Sequence, residues 1–99
     1  MIIAYTTLQD RKSCAKMAET IVRMRLCACE NFHRIESVYL WHGRLERKTE
    51  YALLLKARKA DYPKIEREIR RMHPYDTPAI FEMPAGRVQK GYLQWMKQK

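Results

Sequence analysis

The side chain best suited to chemistry in this sequence is His73, in the segment MHPYDTP at positions 72–78. An imidazole near a cleft can bind Cu(II) or Zn(II), or accept a proton from a ligand. Because transition metals generally take three or four ligands, one histidine makes a site only if symmetry-related copies meet. The alternative is that His73 caps the C-terminus of a helix, where it would interact favourably with the helix dipole.

Cysteines supply a second candidate, since a single residue separates Cys27 from Cys29. In an extended segment both thiols point to one side and could hold Cu(I), whereas in a helix they diverge. Small buried cysteines at a helix–strand junction are the alternative. Cys14 falls on the apolar face of a predicted helix and is expected in the core. His33 and His42 stand alone and are expected at the surface.

Several aromatic and charged residues could line a cleft. The aromatic ones could hold a small molecule between subunits or simply pack at an interface; they are Tyr39, Trp41, Tyr75 and Trp95. Glu50 and Lys56, on one predicted strand, could form a polar pair near the same cleft. The sequence contains no carboxylate pair, no Ser-His-Asp set and no phosphate-binding glycine loop. We therefore expect a binding protein rather than an enzyme, without an organic cofactor.

Length and composition predict one small globular domain spanning residues 1–99. Hydrophobic residues make up 46% and charged residues 31% of the chain, and the net charge is +9. The basic residues are spread along the chain among glutamates, which favours a solvated basic surface over a nucleic-acid site. Three cysteines without a disulfide-type spacing favour a reduced, cytoplasmic location. No signal peptide or membrane span is evident.

The candidate residues need a scaffold, and hydrophobic periodicity predicts one. Strands are expected at 2–5, from 31 to 42, from 45 to 57 and at 79–83, and helices at about 11–26, from 61 to near 73 and at 88–97. Thr6, Thr7 and Asp10 are assigned to turn and cap positions, and Asp61 to a second helix cap. His42-Gly43 is predicted to turn a long antiparallel hairpin. Pro74 must end the second helix, because proline disfavours a helical residue before it.

The resulting order is β-α-β-β-α-β followed by a helix, the ferredoxin-like α+β arrangement with helices on one face of the sheet. Tyr, Trp, Leu and Val fall on both faces of the hairpin strands, yet one helical layer covers one face only. A monomer would expose a large apolar patch. We therefore expect self-association through the open face and hairpin, in a closed cyclic oligomer.

Segments covering nearly the whole chain resemble the CutA divalent-cation-tolerance family. They are SVYLWHGRLERKTEYALLLKA, MHPYDTPAIFEMP and GYLQWM. The positions that match motifs of the family include Trp41 with Gly43, His73-Pro74-Tyr75, Pro78 and Trp95. Cys29 falls where members often have a cysteine. The resemblance implies a tight homotrimer with an architecture similar to the PII signalling proteins. It also implies a role in metal-ion response or tolerance, with divalent copper as the favoured ion.

The resemblance further implies candidate copper ligands. Some members carry a cysteine in the first strand and two adjacent histidines before Pro-Tyr, and these are treated as ligands. Here the matching positions hold Tyr5, Met72 and His73. The alternative function is a PII-like signalling module that binds a small molecule or partner protein in the intersubunit cleft. A nucleic-acid binder driven by the positive charge is a further rival, whose affinity would fall steeply with salt.

Overall fold

The computed structural model of this chain describes residues 1–98 and confirms the predicted order of elements. They are β1 (Ile2–Leu8), α1 (Arg11–Arg23), β2 (Cys29–Trp41), β3 (Arg44–Ala57), α2 (Tyr62–Met72), β4 (Ile80–Pro84) and α3 (Lys90–Lys97), with a 3₁₀ turn at Lys59–Asp61 before α2. The four strands form one antiparallel sheet in the order β2-β3-β1-β4. This is the ferredoxin-like fold followed by a C-terminal helix.

Strand β1 is longer than predicted. Thr6 and Thr7, assigned above to a turn, lie within the strand, where Thr6 pairs with both Leu53 and Ile80. The strand is central: it pairs with β4 as far as Thr6 and with β3 as far as Leu8. Threonine is β-branched and suits such a position as well as it suits a turn. The extension matters because it brings Thr7 beside His73.

The ends of the two larger helices follow local chemistry. Asp10 caps α1 as predicted, since its carboxylate accepts a 2.7 Å hydrogen bond from the Ser13 amide. The helix ends at Arg23 rather than near 26, because Arg25 adopts φ +61° and the Leu26 amide donates to the carbonyl of Ile21. That pairing is a Schellman motif, which terminates a helix.

Asp61 is the N-terminal cap residue of α2, as predicted. Its carboxylate, however, forms no capping hydrogen bond and instead accepts from Arg58 Nε at 3.1 Å. Pro63 occupies the first turn, as expected. The helix ends at Met72, and His73 before Pro74 is extended with ψ 132°.

The core lies between the sheet and helices α1 and α2. Its fully buried side chains come from both layers: Ile21, Leu53, Leu55, Ile65 and Ile69. The opposite face of the sheet is partly bare, with Phe81 packed on Tyr5 at 4.9 Å between ring centroids yet 44% exposed. Helix α3 buries Met96 completely. The expected contrast between a covered and an open face is thus present in the single chain.

Strands β2 and β3 form the predicted long hairpin. They pair continuously from Cys29 with Lys56 to Trp41 with Arg44. His42 and Gly43 both have positive φ, 51° and 76°, as a two-residue type I′ turn requires. The apolar residues toward the turn are exposed; they are Val38, Leu40, Trp41 and Leu45. With principal extents of 46 × 26 × 21 Å, the molecule is elongated.

Candidate functional site

The imidazole of His73 links the turn after α2 to strand β1. Its Nε2 lies 2.7 Å from the backbone oxygen of Thr7, and its Nδ1 accepts a 3.2 Å hydrogen bond from the Tyr75 amide. A carbonyl can only accept, so Nε2 carries the proton and Nδ1 the lone pair. His73 is the C-cap residue of α2, as the alternative prediction has it, but its ring hydrogen-bonds to β1 and to the turn that follows the helix.

The surroundings of His73 keep the ring neutral. The residue is 9% exposed. Burial lowers the pKa of His73 below its ordinary value, and the Thr7 carbonyl and the Glu50 carboxylate oppose this shift without cancelling it. A neutral ring is what the hydrogen bonds require, because a protonated Nδ1 could not accept from the Tyr75 amide. His73 therefore fixes the position of Tyr75, against whose ring it packs edge-on at 4.7 Å between centroids.

The hydroxyl of Tyr75 connects two charged residues of β3. It donates a 2.9 Å hydrogen bond to Glu50 Oε2 and accepts a 3.1 Å hydrogen bond from Lys48 Nζ. The same ammonium lies 4.4 Å from the centre of the Tyr75 ring. Burial is the main reason that the pKa of the Tyr75 phenol is raised. Hydrogen bonding to Tyr75 raises the pKa of Lys48, so this amine is held as the cation.

A cavity of about 520 Å³ opens beside these side chains on the open face of the sheet. Its lining is mostly aromatic and acidic: Tyr39, Trp41, Tyr75, Glu46, Glu50 and Asp76, with Lys48 as its basic group. The strand residues share a face because alternate side chains of a strand point the same way. A cavity with apolar walls and a few convergent polar groups is typical of a small-molecule site.

Four of the six predicted cleft residues meet at this cavity. They are Tyr39, Trp41, Glu50 and Tyr75. Sequence reasoning missed Lys48, Glu46 and Asp76. Two of these had a detectable signal, because Lys48 and Glu46 lie two and four residues before Glu50 and so share its face of β3. Asp76 gave no comparable signal, since it lies in an irregular turn.

Lys56 and Trp95, the other two predicted cleft residues, lie elsewhere. Lys56 Nζ is 4.0 Å from the Cys29 sulfur at the far end of the sheet. Tyr92 of α3 also interacts with Cys29, and its ring stacks on Trp95 at 5.7 Å between centroids. The expected Glu50–Lys56 pair does not form, since six residues of β3 separate the two side chains. These residues form a second cluster, distinct from the Tyr75 cavity.

The three candidate metal ligands do not converge within one chain. Met72 packs against the core between the helices and the sheet. The pairings of Cys29 with Lys56 and of Thr7 with Ala52 put Cys29 roughly 16 Å from Thr7 across the sheet. Both nitrogens of His73 are already hydrogen-bonded. Within residues 1–98, no three His, Cys, Asp or Glu side chains are grouped to hold a metal ion.

Comparison with known proteins identifies the chain's relatives. Residues 2–99 match the family described as CutA1 divalent ion tolerance protein. The divalent-cation tolerance protein CutA of Pyrococcus horikoshii is 36% identical over 96 residues, which cover 97% of this chain and 94% of that protein. Protein CutA of Homo sapiens is 30% identical over 96 residues, covering 96% of this chain and 54% of that protein.

Solved structures agree with this assignment. The crystal structure of CutA1 from Pyrococcus horikoshii has a TM-score of 0.94 at 35% identity, covering 99% of this chain and 96% of that one. A structure from Archaeoglobus fulgidus, described as a periplasmic divalent cation tolerance protein, has a TM-score of 0.95 at 30% identity and covers 99% and 97%. None of the helices within residues 1–98 is long and apolar enough to cross a membrane.

Proposed function

Because the chain belongs to the CutA1 divalent ion tolerance family, we propose that it serves divalent-cation tolerance as a homotrimer that binds its ligand at the Tyr75 cavity. In this proposal the protein binds and signals rather than catalyses, as a PII-like module would. The observation that carries it is the cavity itself, where a buried carboxylate, a phenol and an ammonium converge between aromatic walls.

Apolar surfaces that the single chain leaves exposed support the proposed trimer. Leu40, Trp41 and Leu45 are 71%, 57% and 59% exposed. Trp41 continues the open sheet face that includes Phe81, whereas Leu40 and Leu45 lie on the other face, close to the hairpin turn. Large exposed apolar patches usually mark an interaction surface. Closed cyclic symmetry buries such a patch on every copy at once and places the cavity near a neighbouring subunit. The cytoplasm is the location we propose, because the cysteines lack the spacing of a disulfide framework.

Growth in the presence of copper tests whether the cavity is needed for tolerance. A strain that lacks the protein, complemented with wild type or with Tyr75→Ala, is grown at increasing copper concentrations. We expect wild type to restore growth and Tyr75→Ala to fail, at equal protein levels and with the trimer intact. Lys64→Ala, an exposed change on α2, is the matched control. Full tolerance with Tyr75→Ala would contradict the proposal.

Copper binding at His73 is the second candidate function, and one observation favours it. Burial keeps His73 neutral, the form in which an imidazole ligates a metal. The lone pair of Nδ1 faces a single competitor, the Tyr75 amide at 3.2 Å. A divalent copper ion would have to replace that hydrogen bond and take its remaining ligands from elsewhere, as the one-chain geometry gives no complete set.

Native mass spectrometry with and without Cu(II) tests this candidate and the trimer together. A trimer that gains a fixed number of coppers, and loses them in His73→Ala and His73→Gln, would support a site at the His-Pro-Tyr turn. His42→Ala, which removes an exposed histidine of the hairpin turn, should leave a specific site unchanged. Graded uptake that ignores His73 would exclude it, and a monomer would contradict the assembly.

A further inference from the structure

The charge of the Tyr75 cavity is opposite to that of the whole protein. The chain carries a net charge of +9. The cavity nevertheless has three carboxylates, Glu46, Glu50 and Asp76, against the single ammonium of Lys48. Glu50 is only 7% exposed, so its charge is poorly screened by solvent. An anionic ligand would meet these carboxylates with too little compensation, whereas a cation would be attracted.

The walls of the cavity suit an organic cation. Tyr39, Trp41 and Tyr75 all contribute rings, and the face of an aromatic ring attracts a cation within about 6 Å of its centroid. The protein's own ammonium already illustrates this contact. Lys48 Nζ lies 4.4 Å from the centre of the Tyr75 ring and donates to its hydroxyl at 3.1 Å. Lys48 itself is an exposed residue on a flexible stem, so it can swing away.

We propose that the cavity binds a small molecule carrying an organic ammonium group, and that this group displaces Lys48 from the Tyr75 ring. This inference rests on the proposed function, because it names the class of ligand for the same cavity. The ligand's ammonium would take over the contact with the ring and the attraction of Glu50. A bare metal ion fits less well, because no cluster of ligating side chains is present within residues 1–98.

The test compares two probes of equal size and opposite charge, n-butylammonium and butyrate, titrated into the trimer by ligand-observed NMR. We expect n-butylammonium to bind more tightly than butyrate. Lys48→Met removes the internal competitor, so it should tighten n-butylammonium binding by roughly two- to fivefold, the range that exposed cation–π contacts imply. Lys64→Met removes one positive charge from α2, away from the cavity, and should change binding far less.

Three further variants test the roles of Glu50 and Tyr75 in binding. Glu50→Gln should weaken n-butylammonium binding, since it removes the buried charge. Tyr75→Phe keeps the ring and its packing but releases Lys48 from the hydroxyl, so it should bind n-butylammonium at least as well as wild type. Tyr75→Ala should abolish binding, and native mass spectrometry checks that each variant is still trimeric.

The possible failures are distinguishable. Preferential binding of butyrate that weakens in Lys48→Met would overturn the ammonium assignment and leave the cavity as a binding site. Binding of n-butylammonium that is unaffected by Lys48→Met would overturn the displacement of Lys48. Binding of neither probe to an intact trimer would overturn this inference together with the proposed role of the cavity. Binding that survives Tyr75→Ala would place the site elsewhere.

Discussion

At the scale of single residues, His73 is first a structural cross-link. Its two ring nitrogens join the Thr7 carbonyl of β1 to the Tyr75 amide, and the ring is neutral and buried. Any ligand role for His73 must compete with these hydrogen bonds. The link also explains why Tyr75, five residues before the next strand, is held firmly enough to form one wall of a cavity.

Replacing His73 by Gln should destabilise the protein by about 1–3 kcal/mol, because the buried Thr7 carbonyl and Tyr75 amide lose their partner. The pKa of His73 is lower in the folded state than in the unfolded chain. Its stabilising contribution is therefore complete above the unfolded value near 6.5 and declines as the pH falls toward the folded value. The wild type should therefore lose this part of its stability at acidic pH, whereas His73→Gln should show no such pH-dependent loss.

Urea unfolding at several pH values and one protomer concentration measures both effects. His33→Gln, a change at an exposed histidine of β2, is the control and should follow the wild type. Equal pH dependence in wild type and His73→Gln would show that the ring is not a neutral cross-link.

Glu30 is a buried acid with no role in the cavity. It lies at the start of β2, and neither carboxylate oxygen has an N–H or O–H donor among the described residues. The Cys27 thiol, a weak donor, and the positive charge of Lys56 both stabilise the ionised carboxylate and so lower its pKa. Burial dominates and raises the pKa of Glu30 to about 8.

Glu30→Gln should stabilise the protein at neutral pH, by on the order of 2 kcal/mol. The folded pKa of Glu30, about 8, is above the ordinary value of 4.5. Its contribution is thus fully present below pH 4.5 and is lost as the pH rises through 8, opposite in sign to His73. Thermal unfolding of wild type and Glu30→Gln between pH 5 and 8.5 should therefore diverge as the pH rises. Glu36→Gln, an exposed change on the same strand face, should remain parallel to wild type.

At the scale of elements, the β2–β3 hairpin positions most of the cavity. Its continuous register from Cys29 to Trp41 places Tyr39 opposite Glu46 and aligns Lys48 and Glu50 on the same face. That register depends on the two-residue turn, because a slip of one residue would move every side chain to the other face. The turn at Gly43 therefore determines the geometry of the site, although Gly43 does not line the cavity.

Gly43→Ala should cost about 1 kcal/mol, since φ +76° disfavours any residue with a Cβ. The space around the position is open, so the cost is conformational rather than steric. Gly43→Asn should cost less, because asparagine tolerates the left-handed region. Chemical denaturation of the wild type, Gly43→Ala and Gly43→Asn measures their free energies of unfolding and so their order of stability. Equal stability of Ala and Asn variants would indicate that the turn conformation is not the origin of the cost.

At the scale of the whole molecule, the single chain leaves two kinds of surface uncovered. Helices α1 and α2 cover one face of a sheet whose other face is partly bare, and the hairpin carries exposed apolar residues beyond the helices. The proposed trimer would bury this surface, and it would also enclose the Tyr75 cavity.

Leu40→Glu should weaken the trimer without unfolding the chain. The residue is 71% exposed in the single chain, so a charge there has no cost until subunits meet. Burying a leucine contributes about 1.5–3 kcal/mol, so the dissociation constant should rise at least tenfold. Sedimentation velocity over a concentration series measures this. Thr49→Glu, an exposed change on the same sheet face but farther from the turn, should remain associated as wild type does.

The sequence by itself determined the order of elements, the hairpin turn, the cap at Asp10 and the end of α2. Each of these features depends on residues that are close in sequence. Periodicity indicates the elements, a glycine permits the positive φ of the turn, a side chain caps its own helix, and a proline restricts the residue before it. It also carried the family resemblance, which the comparisons confirm. Strand alternation puts Tyr39 and Trp41 on one face, and the register set by the two-residue turn puts Glu50 on the same face.

Only the tertiary structure decided what His73, Thr7 and Lys48 do. Thr7 belongs to β1 because it pairs with Ala52 of β3, and no local pattern distinguishes that from a turn. Sixty-six residues separate Thr7 from His73, so their hydrogen bond depends on how the second helix packs on the sheet. Likewise Lys56 lies away from the Tyr75 cavity because of its position along β3, and Trp95 because of where α3 packs. Long-range packing, rather than residue type, selected which candidate side chains meet.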